Sequence, residues 1–189
     1  MIHYGELYYD HYSTYLREPS NREVFTSSND LPSIQVLMYE NVFEECRVFN
    51  SLGFSKVEDI VGMNAEVSMV VDGAFDLTGY LLASALFVCI HNKIQMGRGI
   101  AIKGLEKLDQ AFVQTYNKSA IYFTDPYAFP DEYRHVRTPT GEREGRVLLA
   151  FFITESECEY FTRYGADAFE DLLEEKDVDP FQVNRESVI

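Results

Sequence analysis

The residues able to do chemistry are present in this sequence but never in the spacing that chemistry requires. Cys46, Cys89 and Cys158 are odd in number and far apart. They give no disulfide framework, no zinc-ligand spacing and no flanking signature of a nucleophile. The histidines are His3, His11, His91 and His135. His91 follows Cys89 by two positions, which on a helix points the side chains apart, and no HExxH is present. No GxGxxG, GxxxxGK[ST] or GxSxG occurs, and Gly97-Arg98-Gly99 is too short to cradle a phosphate. The adjacent acids Glu44-Glu45, Glu58-Asp59, Asp131-Glu132 and Glu174-Glu175 read as solvated surface rather than as acid/base pairs. No catalytic, cofactor-binding or metal-ligating residue is therefore assigned. The expectation is a binding protein rather than an enzyme, with an unseen enzymatic or small-ligand site as the lesser alternative.

Charge supplies the positive signal. The chain carries 31 Asp and Glu against 16 Lys and Arg, a formal net charge of −15. That sign argues against a nucleic-acid partner and against anionic membranes. It fits a basic protein partner, or solubility alone. From Glu155 to Asp179 there are ten acidic residues against Arg163 and Lys176. Acids in a first helical turn, such as Glu155 and Glu157, offset the helix dipole. Glu170, Asp171, Glu174, Glu175 and Asp177 lie toward a helix C-terminus, where the dipole disfavours them. They are the candidate surface for a basic partner. Tyr127, Phe129 and Tyr133, in a Pro-flanked aromatic loop, are candidate anchors for it, with core packing as the competing reading.

The elements that must position these residues follow from periodicity. Glu6 to Leu16 predicts an amphipathic helix with Tyr8, Tyr12, Tyr15 and Leu16 on one face. Glu18 to Leu31 reads as a loop. Strands are predicted at Ile34–Tyr39, at Cys46–Phe49 with a bend at Gly53, and at Ala65–Val71, where alternation places Glu66, Ser68 and Val70 opposite Val67, Met69 and Val71. The turn Asp72-Gly73 ends this last strand. Tyr80 to His91, capped by Asp76 or Thr78 and closed by Gly97 and Gly99, is an almost wholly apolar helix for the core. A short extended piece follows around Ile100. Ala120–Phe123 is a further strand, Thr138–Gly145 a polar loop or hairpin, and Arg146–Ile153 a strand apolar on both faces and hence interior. Thr154 and Glu157 make a capping box. Gly165 suits an αL cap, and a second helix runs from Asp167 to Glu175, with Pro180 stopping it.

At 189 residues the chain is long enough for one domain with a substantial core. The 13 Tyr and 14 Phe need packing and exclude disorder. The element order predicts an α+β (α/β) single domain, residues 1–189, with a mixed sheet and helices packed on it. The N-terminus lacks a basic n-region and long apolar stretch, so no signal peptide is expected. Leu81–Ile90 is too short to span a bilayer. A reducing, cytoplasmic setting is expected.

An ordered set of segments resembles the suppressor of fused domain family. CRVFNSLGFS (46–55) resembles its strand and GxS segment, AEVSMVV (65–71) its Glu-bearing strand, and 81–90 its long helix. IYFTDPYAF (121–129) resembles a strand ending in Thr, Pro and an aromatic. ITESECEYFTRYGADAFEDLL, followed by NRESV (184–188), resembles the family's closing IT-x-x-E, Gly, Leu-rich helix and R-x-S. The match spans about 34–188, leaving the N-terminal helix and loop of 1–33 outside it. The resemblance implies one domain that works by protein binding without a catalytic site. It implies further that a short stand-alone bacterial member neutralises a cognate toxin, an immunity or antitoxin role in which the partner is a basic toxin domain. A generic interaction or regulatory module without a toxin is the alternative.

Overall fold

The structure is a computed structural model that describes residues 4–27, 31–72, 76–137, 140 and 144–189. In chain order the elements are α1 (Tyr4–Leu16), β1 (Asn21–Phe25), β2 (Ile34–Phe43), β3 (Cys46–Leu52), α2 (Glu58–Val61) and β4 (Ala65–Asp72). There follow α3 (Thr78–His91), β5 (Ile100–Lys103), α4 (Gln110–Tyr116), β6 (Ala120–Thr124), β7 (His135–Arg137), β8 (Glu144–Ile153) and α5 (Glu155–Glu175). The strands form one sheet in the order β1-β2-β3-β4-β8-β6-β5, with β7 added to β8. β4 and β8 run parallel, in register Ala65–Arg146 to Met69–Ala150, and every other pair is antiparallel. The sheet is therefore mixed, as the element order predicts, and it is covered on both sides.

On one face, α3 packs Leu81, Leu82, Leu86 and Ile90 against Val67, Met69, Leu148 and Ala150. On the other face, α1 and the segment from Phe129 to Val136 cover Val48, Val70 and Leu149, while α5 covers Tyr122 and Phe151. β8 is interior as its two-faced apolar pattern requires: Leu149 and Phe151 are both buried. Tyr8, Tyr12 and Leu16 are the buried side of α1, so the N-terminal tyrosines belong to the core on that side.

Several expectations are corrected. The strand β4 forms where its alternation places it, and both of its faces are enclosed: Glu66, Ser68 and Val70 are as buried as the opposite set. α1 and Tyr133 roof the polar side, where the Tyr133 hydroxyl lies 2.8 Å from Ser68 Oγ and accepts from Asn50 Nδ2 at 3.0 Å. The loop expected over Glu18–Leu31 contains β1, an edge strand whose Asn, Arg and Glu side chains are exposed and so carry no apolar alternation. α3 begins at Thr78 after Leu77, without a side-chain cap, and Asp76 pairs instead with Arg47 at 3.2 Å. It ends at His91, well before Gly97 and Gly99. Neither α4, whose cap Asp109 accepts from Phe112 N at 2.7 Å, nor β7 has a counterpart in the sequence reading. Gly165 separates two helical segments as expected, but not in the αL conformation of a cap. At φ 90°, ψ 173°, in a region nearly restricted to glycine, it breaks α5, which resumes at once. The expected loop at Thr138–Gly145 lies largely outside the described residues, as does Gly73 of the turn after β4.

Candidate protein-interaction face

The capping box is formed: Thr154 Oγ1 accepts from Glu157 N at 3.2 Å, and Glu157 Oε2 accepts from Thr154 N at 2.9 Å. This fixes how α5 leaves the central strand β8 and lays its second half beside the end of β6. Arg98, from the segment before β5, pins that half in place. Its guanidinium donates to Glu170 Oε2 from Nε at 3.0 Å and from Nη2 at 2.7 Å, and meets Asp167 at 2.7 Å. The other Glu170 oxygen accepts from Tyr122 Oη at 2.8 Å and Thr124 Oγ1 at 2.7 Å. Glu170 is thus neutralised and saturated. Its position against the helix dipole is explained by packing onto the sheet.

The remaining acids differ. Asp171, Glu174, Glu175 and Asp177 are all exposed, and none makes an ion pair among the described residues. Asp177 has a local role: it occupies the left-handed region at φ 51°, which Asp tolerates, while Val178 N closes the helix end onto Leu173 O at 3.0 Å. Asp171, Glu174 and Glu175 have no such local role.

Tyr127, Glu170, Asp171 and Glu174 line one groove of about 460 Å³, floored by Phe151, Leu173, Val178 and Pro180. Four of the sequence-predicted site residues are therefore brought together. Tyr127 is 61% exposed, and its ring stacks on Phe181 with centroids 6.2 Å apart and planes 10° apart. Glu175 and Asp177 stay outside the groove. Phe129 and Tyr133 are both buried. They are 7% and 0% exposed and stack on each other at 4.2 Å inside the cluster roofed by α1. As direct anchors for a partner they are corrected to core residues, because the hydroxyls and rings that α1 brings down enclose them. Sequence reasoning missed Arg98 and Phe181, which hold the groove from segments distant in the chain and carry no local signal.

Two other carboxylates are wholly enclosed and belong to the fold. Burial pushes Glu66 above the usual carboxylate range, although it accepts from Ser51 Oγ, Ser55 Oγ and the Gly53, Phe54 and Ser55 amides. Burial also acts on Glu157, but Arg185 and the Thr154 and Val188 amides outweigh it and hold its carboxyl below that range. These two acids explain the GxS and R-x-S segments. Glu66 fastens residues 53–55, and Glu157 fastens Arg185, while Ser187 Oγ meets Thr154 Oγ1 at 2.9 Å and Ser156 Oγ at 2.8 Å. Among the described residues no three His, Cys, Asp or Glu side chains converge as a metal site, and no helix is long and apolar enough to cross a membrane.

Residues 30–186 match the family model described as suppressor of fused protein (SUFU). An immunity protein of Bacillus subtilis (strain 168), YqcF, is 24% identical over 127 residues, covering 67% of this chain and 64% of that protein, so the match spans under two thirds of its length. A suppressor of fused homologue from Neisseria gonorrhoeae FA 1090 superposes with a TM-score of 0.75 at 17% identity, covering 98% and 97% of the two chains. A chain in a crystal structure of the Sufu–Fu complex gives 0.70 at 15% identity, over 98% of this chain and 92% of that one. Drosophila Suppressor of Fused gives 0.67 at 15%, over 97% of this chain and half of that one. The structural likenesses establish the fold.

Proposed function

The chain belongs to the suppressor of fused family, and on that premise we propose that it is an immunity-type protein that acts by binding and neutralising a basic toxin domain. The observation that carries this reading is its similarity to an immunity protein. The groove beside α5 supports the sign of the partner, since Asp171 and Glu174 stand there without a paired cation among the described residues. Glu175 and Asp177 extend the same negative field beyond it. Such a field raises the encounter rate with a cationic surface, and contacts formed afterwards set the lifetime of the complex. The competing reading, an interaction module whose partner is no toxin, is favoured by the structural relative solved as the Sufu–Fu complex.

The test is to read the frames flanking this gene and to co-express this protein with any toxin-like product they encode. Protection of growth and a stoichiometric complex with the purified toxin domain are the expected results. Glu174→Lys with Glu175→Lys should slow association at low salt by at least about tenfold, the loss shrinking as the Debye length falls to about 8 Å. Toxicity undiminished by this protein overturns the immunity role. Unchanged association rates remove the acidic surface from it.

A further inference from the structure

The groove is more selective than a negative patch. Its floor is apolar, made by Phe151, Leu173, Val178 and Pro180, and its rim holds three carboxylates of unequal standing. Glu170 is occupied on both oxygens by Arg98, Tyr122 and Thr124. Asp171 and Glu174 are exposed and unpaired among the described residues. At one side stands Tyr127, whose ring lies nearly parallel to Phe181 with centroids 6.2 Å apart and which is still 61% exposed, so that aromatic surface remains accessible. An apolar trough, two free carboxylates and an accessible aromatic ring complement one side chain in particular. A long aliphatic stem can lie along the floor, and a planar cation can pair with the carboxylates and cover the ring. A guanidinium meets all three demands, because it is planar, permanently charged and able to bond a carboxylate through two N–H groups at once.

We infer that the groove between α5, the end of β6 and the 178–181 turn is an anchor site for a single arginine side chain projecting from a protein partner. This rests on the protein-binding reading above and names the chemistry by which that partner is held. Asp171 and Glu174 receive the guanidinium, Tyr127 covers its face, and Leu173, Val178 and Pro180 take the stem. Glu170 does not receive it, since its own acceptor sites are filled.

The test uses the whole chain and a defined probe, acetyl-Gly-Leu-Arg-Leu-Gly-amide, titrated by amide NMR beside the same peptide with neutral citrulline in place of arginine. Saturable shifts at Tyr127, Asp171, Glu174 and Val178, absent with the citrulline peptide, are expected. Asp171→Asn with Glu174→Gln should weaken the arginine peptide at least about fivefold, and Tyr127→Leu about threefold, with melting temperatures unchanged because all three sites are exposed. Shifts that do not saturate, that lie elsewhere, or that are equal with citrulline overturn the site. So does a concentration-dependent dimer in sedimentation that protects these residues, which would give the groove to a second copy. With the toxin domain in hand, a triple Asp171→Asn, Glu174→Gln, Tyr127→Leu variant that binds at parent affinity sinks the groove and leaves the immunity role standing. Absence of any toxin complex, with the peptide still bound, sinks that role and leaves the groove.

Discussion

Glu66 and Glu157 are both 0% exposed, in a chain whose other acids lie mostly at the surface, and they are held by opposite means. Glu66 has no cation paired with it among the described residues. Its carboxylate is caught by a turn: three consecutive amides, Gly53 to Ser55, and two serine hydroxyls, at 2.6 to 3.2 Å. Glu157 meets a guanidinium. Arg185 reaches both of its oxygens and also donates to Phe152 O at 3.3 Å. Lys118, likewise buried, donates to Arg185 O at 2.7 Å, and burial with the charge of Arg185 pulls its ammonium down to about 8. The Glu66 site needs only dipoles because it fixes a turn close to itself in sequence. The Glu157 site ties down a segment some 28 residues away that makes no strand, and a formal charge pair is what gives that segment its register.

The comparison predicts its largest effect at Arg185. The guanidinium side chain is 5% exposed, so Arg185→Met strands a buried carboxylate and should cost about 3–5 kcal/mol. For a chain of this size that is a fall in melting temperature of about 6–20 °C. Adding Glu157→Leu should return at least half of the loss, since replacing both charges by apolar groups is commonly tolerated. Urea denaturation of the two variants decides it: a double variant no better than the single one means that the pair does not act as a pair.

At Glu66 the expected loss is smaller and has no rescuing partner. Glu66→Gln puts an amide donor where every neighbour is already a donor, for about 1–3 kcal/mol. Gly53→Ala attacks the same turn from its other side. Gly53 has φ 115°, and a Cβ there would stand 2.5 Å from Ser33 O. The expected cost is again about 1–3 kcal/mol. Because both changes open one turn, the double variant should cost less than the sum by at least about 0.5 kcal/mol. Strict additivity in denaturant titrations would show that the carboxylate does not hold the turn.

The two sites also mark how far the sequence could be read. The capping box at Thr154 is local, four residues long, and is visible as such. β8 and α3 are legible because a two-faced apolar run and an almost wholly apolar helix each have few alternatives in a covered sheet. Glu66 is illegible by the same reasoning. In a strand that alternates, an acid opposite Val67 and Met69 reads as solvent-facing, and only the distant α1 makes it buried. Phe129 and Tyr133 were hidden in the reverse sense: a Pro-flanked aromatic loop resembles an anchor until α1 is seen to roof it. The groove was half legible. Glu170, Asp171 and Glu174 are close in sequence on one helix, whereas Tyr127 joins them only through the fold. Nothing local separates the saturated Glu170 from its unpaired neighbours, since Arg98 is 72 residues away.

A lesser effect is expected at the entry to α5. Thr154→Ala removes the acceptor for the Glu157 amide and one contact to Ser187, and should cost about 0.5–2 kcal/mol. Thr154→Ser keeps the oxygen and should stay within about 0.5 kcal/mol of the parent. Equal melting curves for the alanine and serine variants would remove the cap from the account of why α5 starts where it does.

The smallest effect is the one that separates the two carboxylates most sharply, because it has opposite signs. Glu157 titrates below its unfolded value, so the native state binds fewer protons than the unfolded chain in the window between the two. Its contribution is present above the unfolded carboxyl range and is lost as pH falls through that window. Glu66 titrates above its unfolded value, so the native state binds more protons there, and stability falls as pH rises from the unfolded value through the folded one. Each unit of separation is worth about 1.4 kcal/mol. Measured against parent protein at the same pH, the penalty of Glu157→Gln should therefore hold from neutrality down to the unfolded carboxyl value and shrink on acidification below it. The penalty of Glu66→Gln should instead grow on acidification from neutrality toward the unfolded carboxyl value, because the parent gains stability as Glu66 takes its proton. Urea midpoints at several pH values give both curves. Parallel curves would mean that the dipoles around Glu66 hold its carboxylate as firmly as the guanidinium holds Glu157, and that a turn of three amides can stand in for a buried arginine.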